Sequence, residues 1–435
     1  MKHVHFIGIG GISMSALATI LLSKGAKVTG SDRQNSKEVE KLIAIGAEIA
    51  IGQSADNITK FGVNKNTIVC YTAAIHGDDE ELIRAREVGA TVLIRSKFLG
   101  ELLKECNKVI AISGTHGKTT TTSMIANIFL TANKNPSILV GSQMPQIDGN
   151  VRIGGNEYMI LEACEYVDSF LDFYSETAVI TNIDADHLDY FKNIENIKES
   201  FIKFAEHTSK NVVINVDNEN CTSILSSIGK HVVGTSIKNA NIRYKDNKTV
   251  FNYGELEIML PVYGAHNVAN AIQAIEVARL YDIEEKYIIE GLEKFITPAR
   301  RFEYIGDYKG VKLYDDYAHH PTEIKTTLET VKTLPGNTYV IFQSHTYSRT
   351  KTLYKDFIDV ISGFDNLIVA DIYAAREDPV DGIDGQHLAK DSGGMYLGDF
   401  DDIKKYLIDN SNRIDNIVSI GAGDSNKILY EILTN

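Results

Sequence analysis

Residues 107–131 read NKVIAISGTHGKTTTTSMIANIFLT, and this stretch decides the fold of the chain. An apolar, strand-like segment runs into a glycine turn, and the turn leads into a segment whose apolar residues have helical spacing. A glycine turn between a buried strand and a helix is the usual setting of a phosphate-binding loop, because N–H groups and the helix dipole attract anions there. The stretch therefore predicts an α/β unit that binds a nucleotide.

The turn itself is GTHGKTT, residues 114–120. Lys118 would bring a full positive charge to the terminal phosphates, and the hydroxyl of Thr119 could bind Mg²⁺. The turn departs from the GxxxxGK[ST] pattern, because Ile112 stands five residues before Gly117 and the leading glycine, Gly114, stands only three before it. The alternative is a glycine-rich turn with a purely structural role.

The alternation of short strand, turn and amphipathic helix begins anew in three stretches of the chain, which is typical of parallel α/β layers. We predict a three-domain α/β fold: a Rossmann-like domain over residues 1–97, a P-loop ATPase-type domain over 98–297 and a second Rossmann-like domain over 298–435. The length of 435 residues agrees with about three domains of ~150 residues. Alternating polar and aromatic residues between Asn241 and Val262 predict an antiparallel edge or flap.

Composition narrows the class of protein. Hydrophobic residues make up 43% of the chain and charged residues 23%, which excludes long disordered or fibrous segments. The net charge of −14 opposes non-specific binding to nucleic acid or an anionic membrane, so anionic ligands must be held by local positive charge.

Location and redox state are also predicted. The chain begins MKHVHFIGIGG, without a signal-peptide pattern, and no run approaches the ~18 apolar residues of a membrane span, so we expect a cytoplasmic protein. The cysteines have no metal or redox spacing and are expected to be reduced and mostly buried. They are Cys70, Cys106, Cys164 and Cys221.

A second glycine turn, GIGGIS at residues 8–13, follows the first predicted strand, and Asp32 ends the second. This is the arrangement of a dinucleotide-binding fold, except that Ser13 stands where the third glycine belongs. The turn fits any ligand that carries a diphosphate to a helix N-terminus. A purely structural turn is the alternative.

Acidic residues and a histidine follow two central strands. Glu162 ends the strand YMILE, and Asp184, Asp186, His187 and Asp189 follow the strand AVITNI in the sequence NIDADHLDY. The carboxyl ends of parallel strands meet at one crevice, so these groups could hold Mg²⁺, although a histidine ligand is unusual for that ion. For Glu162 and His187 we favour this interpretation, whereas Asp184 and Asp186 could equally serve as helix caps or turn residues.

Eight stretches resemble, in order and spacing, the Mur ligase family. They are HFIGIGGISMSALA, SGTHGKTTTTSM, EACEY, TNIDADHLDYF, GAHNVANA, ARRFEYIG, DDYAHHPTEI and FQSHTYSRT. The resemblance spans essentially the whole chain. It implies an ATP-dependent ligase of peptidoglycan synthesis that phosphorylates the lactyl carboxylate of UDP-N-acetylmuramate. L-Alanine then attacks the acyl phosphate, and ADP and phosphate are released.

The resemblance also implies a task for each domain and a set of site residues. The first domain would hold the UDP sugar, the second ATP with Mg²⁺, and the third would close over both and bring the amino acid. No nucleic acid, no membrane insertion, and a monomer or homodimer are expected. The implied catalytic residues are Lys118, Glu162, His187 and His345. The implied metal ligands are Thr119, Glu162 and His187. The implied UDP-sugar residues are Gly8, Gly10, Gly11 and Asp32. The implied ATP residues are Gly114, Thr115, His116, Gly117, Lys118, Thr119, Thr120, Asn267, Arg301 and Asp316.

Several of these assignments have alternatives. Asn267 could pair with the adenine edge or cap the following helix. Arg301 and Asp316 match positions that reach ATP when the C-terminal domain closes, and Arg300 is expected to be a solvated neighbour.

The amino-acid site is assigned on the same resemblance. Arg349 would bind the carboxylate of the incoming amino acid, and His345 would orient or deprotonate its amine. Thr346 stands where some relatives have a basic residue, so weaker binding of the amino-acid carboxylate is expected. Of His319 and His320, one should line the site, and the other could cap a helix or pack.

Other activities remain open from the residues alone. The chain could be the ligase that reattaches murein tripeptide, or a folate polyglutamate synthase. From different classes, it could be an NAD-dependent dehydrogenase built on the first glycine turn, or a nucleotide-binding protein without turnover. Cys164, beside ATP, is expected to be a packing residue only.

Overall fold

A computed structural model describes residues 2–72, 74–245, 248–375 and 377–434. The chain forms two compact units. The first comprises the residues up to Lys238 together with Ala269–Leu292, and the second comprises Asn239–Val268 together with the residues from Glu293 onward.

The first unit begins with a five-stranded parallel sheet in the order β3-β2-β1-β4-β5. Its strands are β1 (His3–Ile7), β2 (Lys27–Asp32), β3 (Glu48–Ile51), β4 (Thr67–Tyr71) and β5 (Thr91–Ile94). Its helices are α1 (Ile12–Ser23), α2 (Lys37–Ala44), α3 (Asp56–Lys60), α4 (Glu80–Glu87) and α5 (Arg95–Leu103). Gly25, Gly46 and Gly89 follow helices with positive φ, as helix-ending glycines do.

A seven-stranded sheet follows in the order β12-β11-β10-β6-β9-β7-β8, with only β8 antiparallel to its neighbour. Its strands are β6 (Lys108–Ser113), β7 (Ser137–Met144), β8 (Gly149–Arg152), β9 (Tyr158–Glu162), β10 (Thr177–Ile180), β11 (Asn211–Asn215) and β12 (His231–Thr235). Its helices are α6 (Lys118–Thr131), α7 (Leu188–Phe191), α8 (Ile194–Glu206) and α9 (Glu219–Ile224). Because β6 lies between β9 and β10, the segments that follow these three strands meet at one edge.

The predicted antiparallel patch is confirmed as a three-stranded sheet of the second unit, in the order β13-β14-β15. Its strands are β13 (Arg243–Lys245), β14 (Lys248–Tyr253) and β15 (Leu256–Leu260). Residues 246 and 247, which fall inside this prediction, lie outside the described residues. Two helices follow in the chain, α10 (Ala265–Leu280) and α11 (Glu285–Glu293).

The second unit ends with a six-stranded sheet in the order β16-β17-β21-β18-β19-β20, parallel except for the pair β16 and β17. Its strands are β16 (Glu303–Tyr308), β17 (Val311–Asp316), β18 (Thr338–Phe342), β19 (Leu367–Val369), β20 (Met395–Tyr396) and β21 (Asn416–Ile420). Its helices are α12 (Pro321–Val331), α13 (Tyr347–Thr352), α14 (Tyr354–Ile361), α15 (Gly385–Ser392), α16 (Phe400–Asp409) and α17 (Asn426–Leu433).

A third glycine turn joins β21 to α17. Gly421 has φ +144°, and the side chain of Gln343, from the segment after β18, fills the turn. Its Oε1 accepts the N–H groups of Asp424 at 2.7 Å and of Ser425 at 3.0 Å. The amide of Gln343 therefore satisfies donors at the start of α17.

The α/β fold predicted from the alternation is confirmed. Each of the three predicted domains contains a mainly parallel sheet, and the second also contains the antiparallel sheet β13–β15. All four cysteines are free thiols; Cys70 and Cys221 are buried, but Cys106 and Cys164 are only half-buried. Among the described helices, none combines the length and the apolar character needed to cross a membrane.

Candidate active site

The predicted phosphate loop connects β6 to α6, and its two glycines are required by its geometry. Gly114 has φ +137°, and a Cβ there would overlap the hydroxyl of Thr181. Gly117 has φ +81°, and a Cβ there would lie 2.9 Å from Oδ1 of Asn270. A side chain at either position would be strained and crowded, so only glycine suits this turn.

Asn182 holds the loop from the segment that follows β10. Its Oδ1 accepts the His116 N–H at 2.9 Å, and its Nδ2 donates to the His116 carbonyl at 2.9 Å. The hydroxyl of Thr181 donates to the same carbonyl at 2.6 Å. Thr115 makes another link between the loop and the segment after β10, because its Oγ1 accepts the Asp184 N–H at 2.9 Å. Hydrogen bonds from these protein groups thus hold the loop in its shape.

Lys118, the first residue of α6, is held back against the loop. Its Nζ donates to the Gly114 carbonyl at 2.5 Å and lies 2.9 Å from Oε2 of Glu165. Only 14% of the Lys118 side chain and 3% of the Glu165 side chain are exposed. Burial alone would lower the pKa of Lys118, but the neighbouring carboxylates, Glu165 foremost, raise it above its ordinary value. Lys118 is therefore a fixed cation.

Thr119 and Glu162, both predicted metal ligands, lie together. The Thr119 hydroxyl donates to Oε2 of Glu162 at 2.9 Å, and the Gly141 N–H donates to the same oxygen at 3.0 Å. Glu162 also lies so close to Gly141 that a Cβ on this glycine would approach its carboxylate to 2.9 Å. A hydroxyl and a carboxylate are hard oxygen donors, the kind that Mg²⁺ prefers.

His187, the third predicted metal ligand, precedes α7 with φ +52°. Its Nε2 lies 3.9 Å from Oε1 of Glu165 and 3.9 Å from Oδ2 of Asp186, and its ring packs on Tyr166 with 4.6 Å between centroids. His187 therefore faces the carboxylate that holds Lys118. Asp184 lies near the loop instead, 3.4 Å from Nε2 of His116. The side chain of Asp189 is outside the described part of the chain.

The first glycine turn has its own support. Gly8 has φ +80°, and the Gly10 N–H donates to Oδ2 of Asp32 at 2.8 Å. A Cβ on Gly10 would come within 2.9 Å of that oxygen. Gly11 precedes α1, whose first turn contains no acidic residue. The helix N-terminus is thus suited to an anion, with Asp32 bracing the turn.

His345 and Arg349 are neighbours in the second unit. Arg349 donates from Nη1 to the His345 carbonyl at 2.9 Å, and the His345 ring stacks on Tyr373 at 5.4 Å. Burial, then the charges of Arg349 and His319, lower the pKa of His345 below 6.5. Its imidazole is therefore neutral at neutral pH, as a proton acceptor must be.

The two adjacent histidines have different tasks. His320 caps α12, since its Nδ1 accepts the Thr322 N–H and Glu323 completes a capping box. The ring of His319 lies 6.3 Å from that of His345. His319 is therefore the one of the pair that lies beside a predicted site residue.

Glu377 orders the segment around Thr346. Its carboxylate accepts the hydroxyl of Thr346 at 2.7 Å and both the N–H and the hydroxyl of Ser348, at 2.7 and 2.6 Å. Thr346 thus contributes to the fold of the amino-acid segment although it is not basic.

The expectation that Arg300 is a solvated neighbour is wrong. Its Nε donates to Oδ2 of the fully buried Asp315 at 2.8 Å, and its Nη2 donates to the Gly421 carbonyl at 2.7 Å. Both guanidinium groups lie over the ring of Tyr317, 4.8 Å from its centroid for Arg300 and 5.8 Å for Arg301. Two adjacent arginines thus face different surroundings, because Asp315 on β17 binds one of them.

Asp316 and Asn267 make local contacts. Asp316 accepts the Thr327 hydroxyl at 2.7 Å, and burial raises its pKa to about 6 although Thr327 and Arg301 oppose the shift. Nδ2 of the buried Asn267 donates to the Tyr263 carbonyl at 2.6 Å. This contact is not the helix cap considered for Asn267, because Asn267 lies inside α10 and its side chain donates to a carbonyl, whereas an N-cap side chain accepts a backbone N–H. Its pairing with adenine stays a prediction.

Models of known protein families match three successive parts of the chain. A model of the Mur ligase family, catalytic domain, matches residues 3–106. A model of the Mur ligase middle domain matches residues 112–278, and one of the Mur ligase, glutamate ligase domain, matches 300–423. The chain belongs to the Mur ligase family.

Relatives of this Mur ligase share its full length. The UDP-N-acetylmuramate–L-alanine ligase of Clostridium acetobutylicum is 45% identical, with 98% of this chain and 96% of the relative covered. The enzyme of that name from Caldicellulosiruptor bescii is 44% identical over 100% of this chain and 98% of its own.

Solved structures agree on the architecture of this Mur ligase. The UDP-N-acetylmuramate-alanine ligase of Thermotoga maritima matches with a TM-score of 0.80 and 27% identity, covering 100% of this chain and 99% of that one. A murein peptide ligase from Psychrobacter arcticus matches with a TM-score of 0.68 over 100% and 98% of the two chains. At 22% identity, the second match shows the fold alone.

Three residues that support the site of this Mur ligase were not singled out from the sequence. They are Glu165, Asn182 and Glu377. Glu165 and Asn182 each lie within three residues of a strand end that was recognised, so a full survey of polar residues there would have found them. Glu377 lies far along the chain from the segment that it binds, and nothing local marks it.

Proposed function

We propose that this Mur ligase joins L-alanine to UDP-N-acetylmuramate at the expense of ATP, releasing ADP and phosphate. Two relatives of that name support the substrate pair, at 45% and 44% identity over nearly the full chain. The structural observation that carries the proposal is the loop at residues 114–120, where a fixed Lys118 cation adjoins the oxygen pair of Thr119 and Glu162.

The lactyl carboxylate must first be activated, because loss of oxide from it is too costly. Transfer of the terminal phosphoryl group of ATP to a carboxylate oxygen gives an acyl phosphate and ADP, and the amine then displaces phosphate as the amide forms. Charge spreads over the phosphoryl oxygens during transfer, and Lys118, with the loop N–H groups, is placed to stabilise it.

A divalent cation fits the donors at this loop. Thr119 and Glu162 supply oxygen atoms within hydrogen-bond distance of each other, and with His187 they would hold the ion. Bound Mg²⁺ would neutralise phosphate charge.

The remaining ATP and UDP-sugar contacts are proposed on the family resemblance, which the geometry of the first glycine turn supports. The diphosphate of UDP-N-acetylmuramate would meet the N-terminus of α1 at Gly8, Gly10 and Gly11, with Asp32 bracing that turn. Asn267, Arg301 and Asp316 are proposed, on the family resemblance, as further ATP-binding residues. The predicted limits of the three domains, at residues 1–97, 98–297 and 298–435, are proposed unchanged, as is a cytoplasmic location.

Alanine would be received by His345 and Arg349. The guanidinium of Arg349 can bind a carboxylate through two N–H groups. His345, neutral because its pKa is lowered, can accept a proton from the alanine ammonium at Nε2, since Nδ1 faces Arg349 at 3.4 Å. The free amine can then attack the acyl phosphate.

A substrate panel tests the proposal. Purified protein with UDP-N-acetylmuramate, ATP and Mg²⁺ should release phosphate with the highest kcat/KM for L-alanine, ahead of glycine, L-serine and the murein tripeptide. Discrimination against glycine rests on one methyl group and should be modest, about tenfold. Release with the tripeptide alone would replace this proposal by a murein peptide ligase.

Two variants and a titration complete the test. Lys118→Ala should abolish phosphate release, whereas Lys405→Ala, at an exposed ion pair, should retain it. NAD titrated into the protein in a calorimeter should give no binding. Tight NAD binding with no phosphate release would instead favour the dehydrogenase.

A further inference from the structure

The turn that carries Glu165 has an unfavourable backbone. Val167 and Asp168 have φ of +50° and +57°, within the 3₁₀ segment Tyr166–Asp172. Asp tolerates this left-handed region, but a β-branched residue such as Val rarely enters it. Such a turn persists only when its surroundings hold it, so it must have an anchor.

The side chain of Asp168 is that anchor, because both of its oxygens are used. Oδ2 accepts the hydroxyl of Tyr190 in α7 at 2.7 Å, and Oδ1 accepts the hydroxyl of Ser200 in α8 in a short hydrogen bond. The Asp168 N–H donates to the Glu165 carbonyl at 2.9 Å, which closes the turn. One carboxylate therefore fastens residues 165–168 to two helices. The pKa of Tyr190 is raised because its hydroxyl donates to this carboxylate.

The anchored turn meets the site on two sides. Glu165, at its start, pairs with Lys118 and faces Nε2 of His187. His187 lies three residues before Tyr190, and its ring packs on Tyr166. The bond between Asp168 and Tyr190 thus joins the segment of Glu165 to the segment of His187.

We propose that Asp168 is a positioning residue of this ligase, which fixes Glu165 between Lys118 and His187 by tying its turn to α7 and α8. The inference rests on the proposed function for its kinetic readout. It assigns no contact with substrate to Asp168. The effect is transmitted through Glu165.

Three substitutions at residue 168 separate the anchor from the backbone. Asp168→Asn retains polar atoms for both hydroxyls and tolerates positive φ. Asp168→Gly tolerates positive φ but loses the anchor, and Asp168→Ala loses both. We expect kcat of the Gly and Ala variants to fall on the order of tenfold or more, with a raised KM for ATP and a raised Mg²⁺ requirement. The Asn variant should stay close to wild type. The control Asp391→Ala removes the acceptor of another Tyr–Asp pair, Tyr354 and Asp391 at 2.9 Å, and should leave all three quantities unchanged.

The outcome that overturns the inference is an Asp168→Gly variant with wild-type kcat, ATP KM and Mg²⁺ dependence. If that variant fails to fold, Tyr190→Phe, which removes one hydroxyl and keeps the ring, must show the same changes in smaller measure. If the wild type itself lacks ligase activity, the proposed function fails separately. ATP affinity by calorimetry then decides for Asp168, since the Gly variant must bind ATP several-fold more weakly and the Asn variant must not.

Discussion

The carboxylate of Glu165 lies 2.9 Å from Nζ of Lys118, and both side chains are largely buried. An ion pair of this kind has a strong consequence when one partner is removed, because the other is left as an uncompensated buried charge. The pair also fixes the position of the lysine of the phosphate loop. Glu165 therefore supports both the fold and the chemistry.

Replacing Glu165 by Gln should lower both the stability and the activity of the enzyme. Lys118 would stay buried without its carboxylate, and we expect a loss of about 3 kcal/mol in the free energy of unfolding together with a large fall in kcat. Urea unfolding and phosphate release measure the two effects. The control Glu195→Gln breaks an exposed pair with Lys198 and should change neither. Wild-type stability in Glu165→Gln would show that the pair contributes nothing.

The adjacent arginines should separate stability from activity. Arg300→Ala leaves the fully buried Asp315 without its ion pair, so the free energy of unfolding should fall by about 3 kcal/mol. Arg301→Ala should leave stability nearly unchanged and raise the KM for ATP. Thermal unfolding and ATP-dependent kinetics check the two effects. Equal destabilisation by both substitutions would contradict the separate tasks assigned to them.

The acid side of the pH profile should report His345. Because its pKa is lowered, kcat/KM for alanine should fall at a lower pH than an unperturbed imidazole would give. Tyr373→Ala would expose the ring, remove part of the burial that lowers the pKa, and move the acid limb to higher pH. The measurement is kcat/KM from pH 5 to 8. An acid limb that stays in place in Tyr373→Ala would argue against His345 as the base.

Asp316 should make stability depend on pH in a defined direction. Its pKa rises from 3.8 unfolded to about 6 folded, so its favourable contribution is present below pH 4 and is lost as the pH rises towards 6. Asp316→Asn has no such dependence. From pH 4 to 7 the stability of this variant relative to wild type should therefore increase, by up to about 3 kcal/mol. A constant difference between the two proteins over this range would show that Asp316 does not titrate as described.

The glycine loop could be predicted because strand, turn and helix are encoded by neighbouring residues. Its partners could not be predicted in the same way. Glu165 lies in a turn where Val167 has positive φ, which no local pattern indicates. The edge strands β8 and β16 are antiparallel to their neighbours, which an alternation of strand and helix does not predict. The two arginines at 300 and 301 look alike until β17 places Asp315 beside one of them. Similarly, His319 and His320 can be told apart only because α12 begins directly after His320, which makes His320 its cap and leaves His319 beside His345.

The turn after β21 bears on which glycine turns of the chain can bind a phosphate. At the third of the glycine turns described above, Oε1 of Gln343 already occupies the place where a phosphate oxygen would accept the N–H groups of Asp424 and Ser425. The amide oxygen of Gln343 accepts the same N–H groups as a phosphate oxygen would, but it carries no net charge. A nucleotide phosphate could bind at this turn only if it displaced the buried side chain of Gln343. The turn after β21 is therefore blocked to phosphates by the protein's own side chain. In the proposed function, ATP and the UDP sugar would each bind at one of the other two turns.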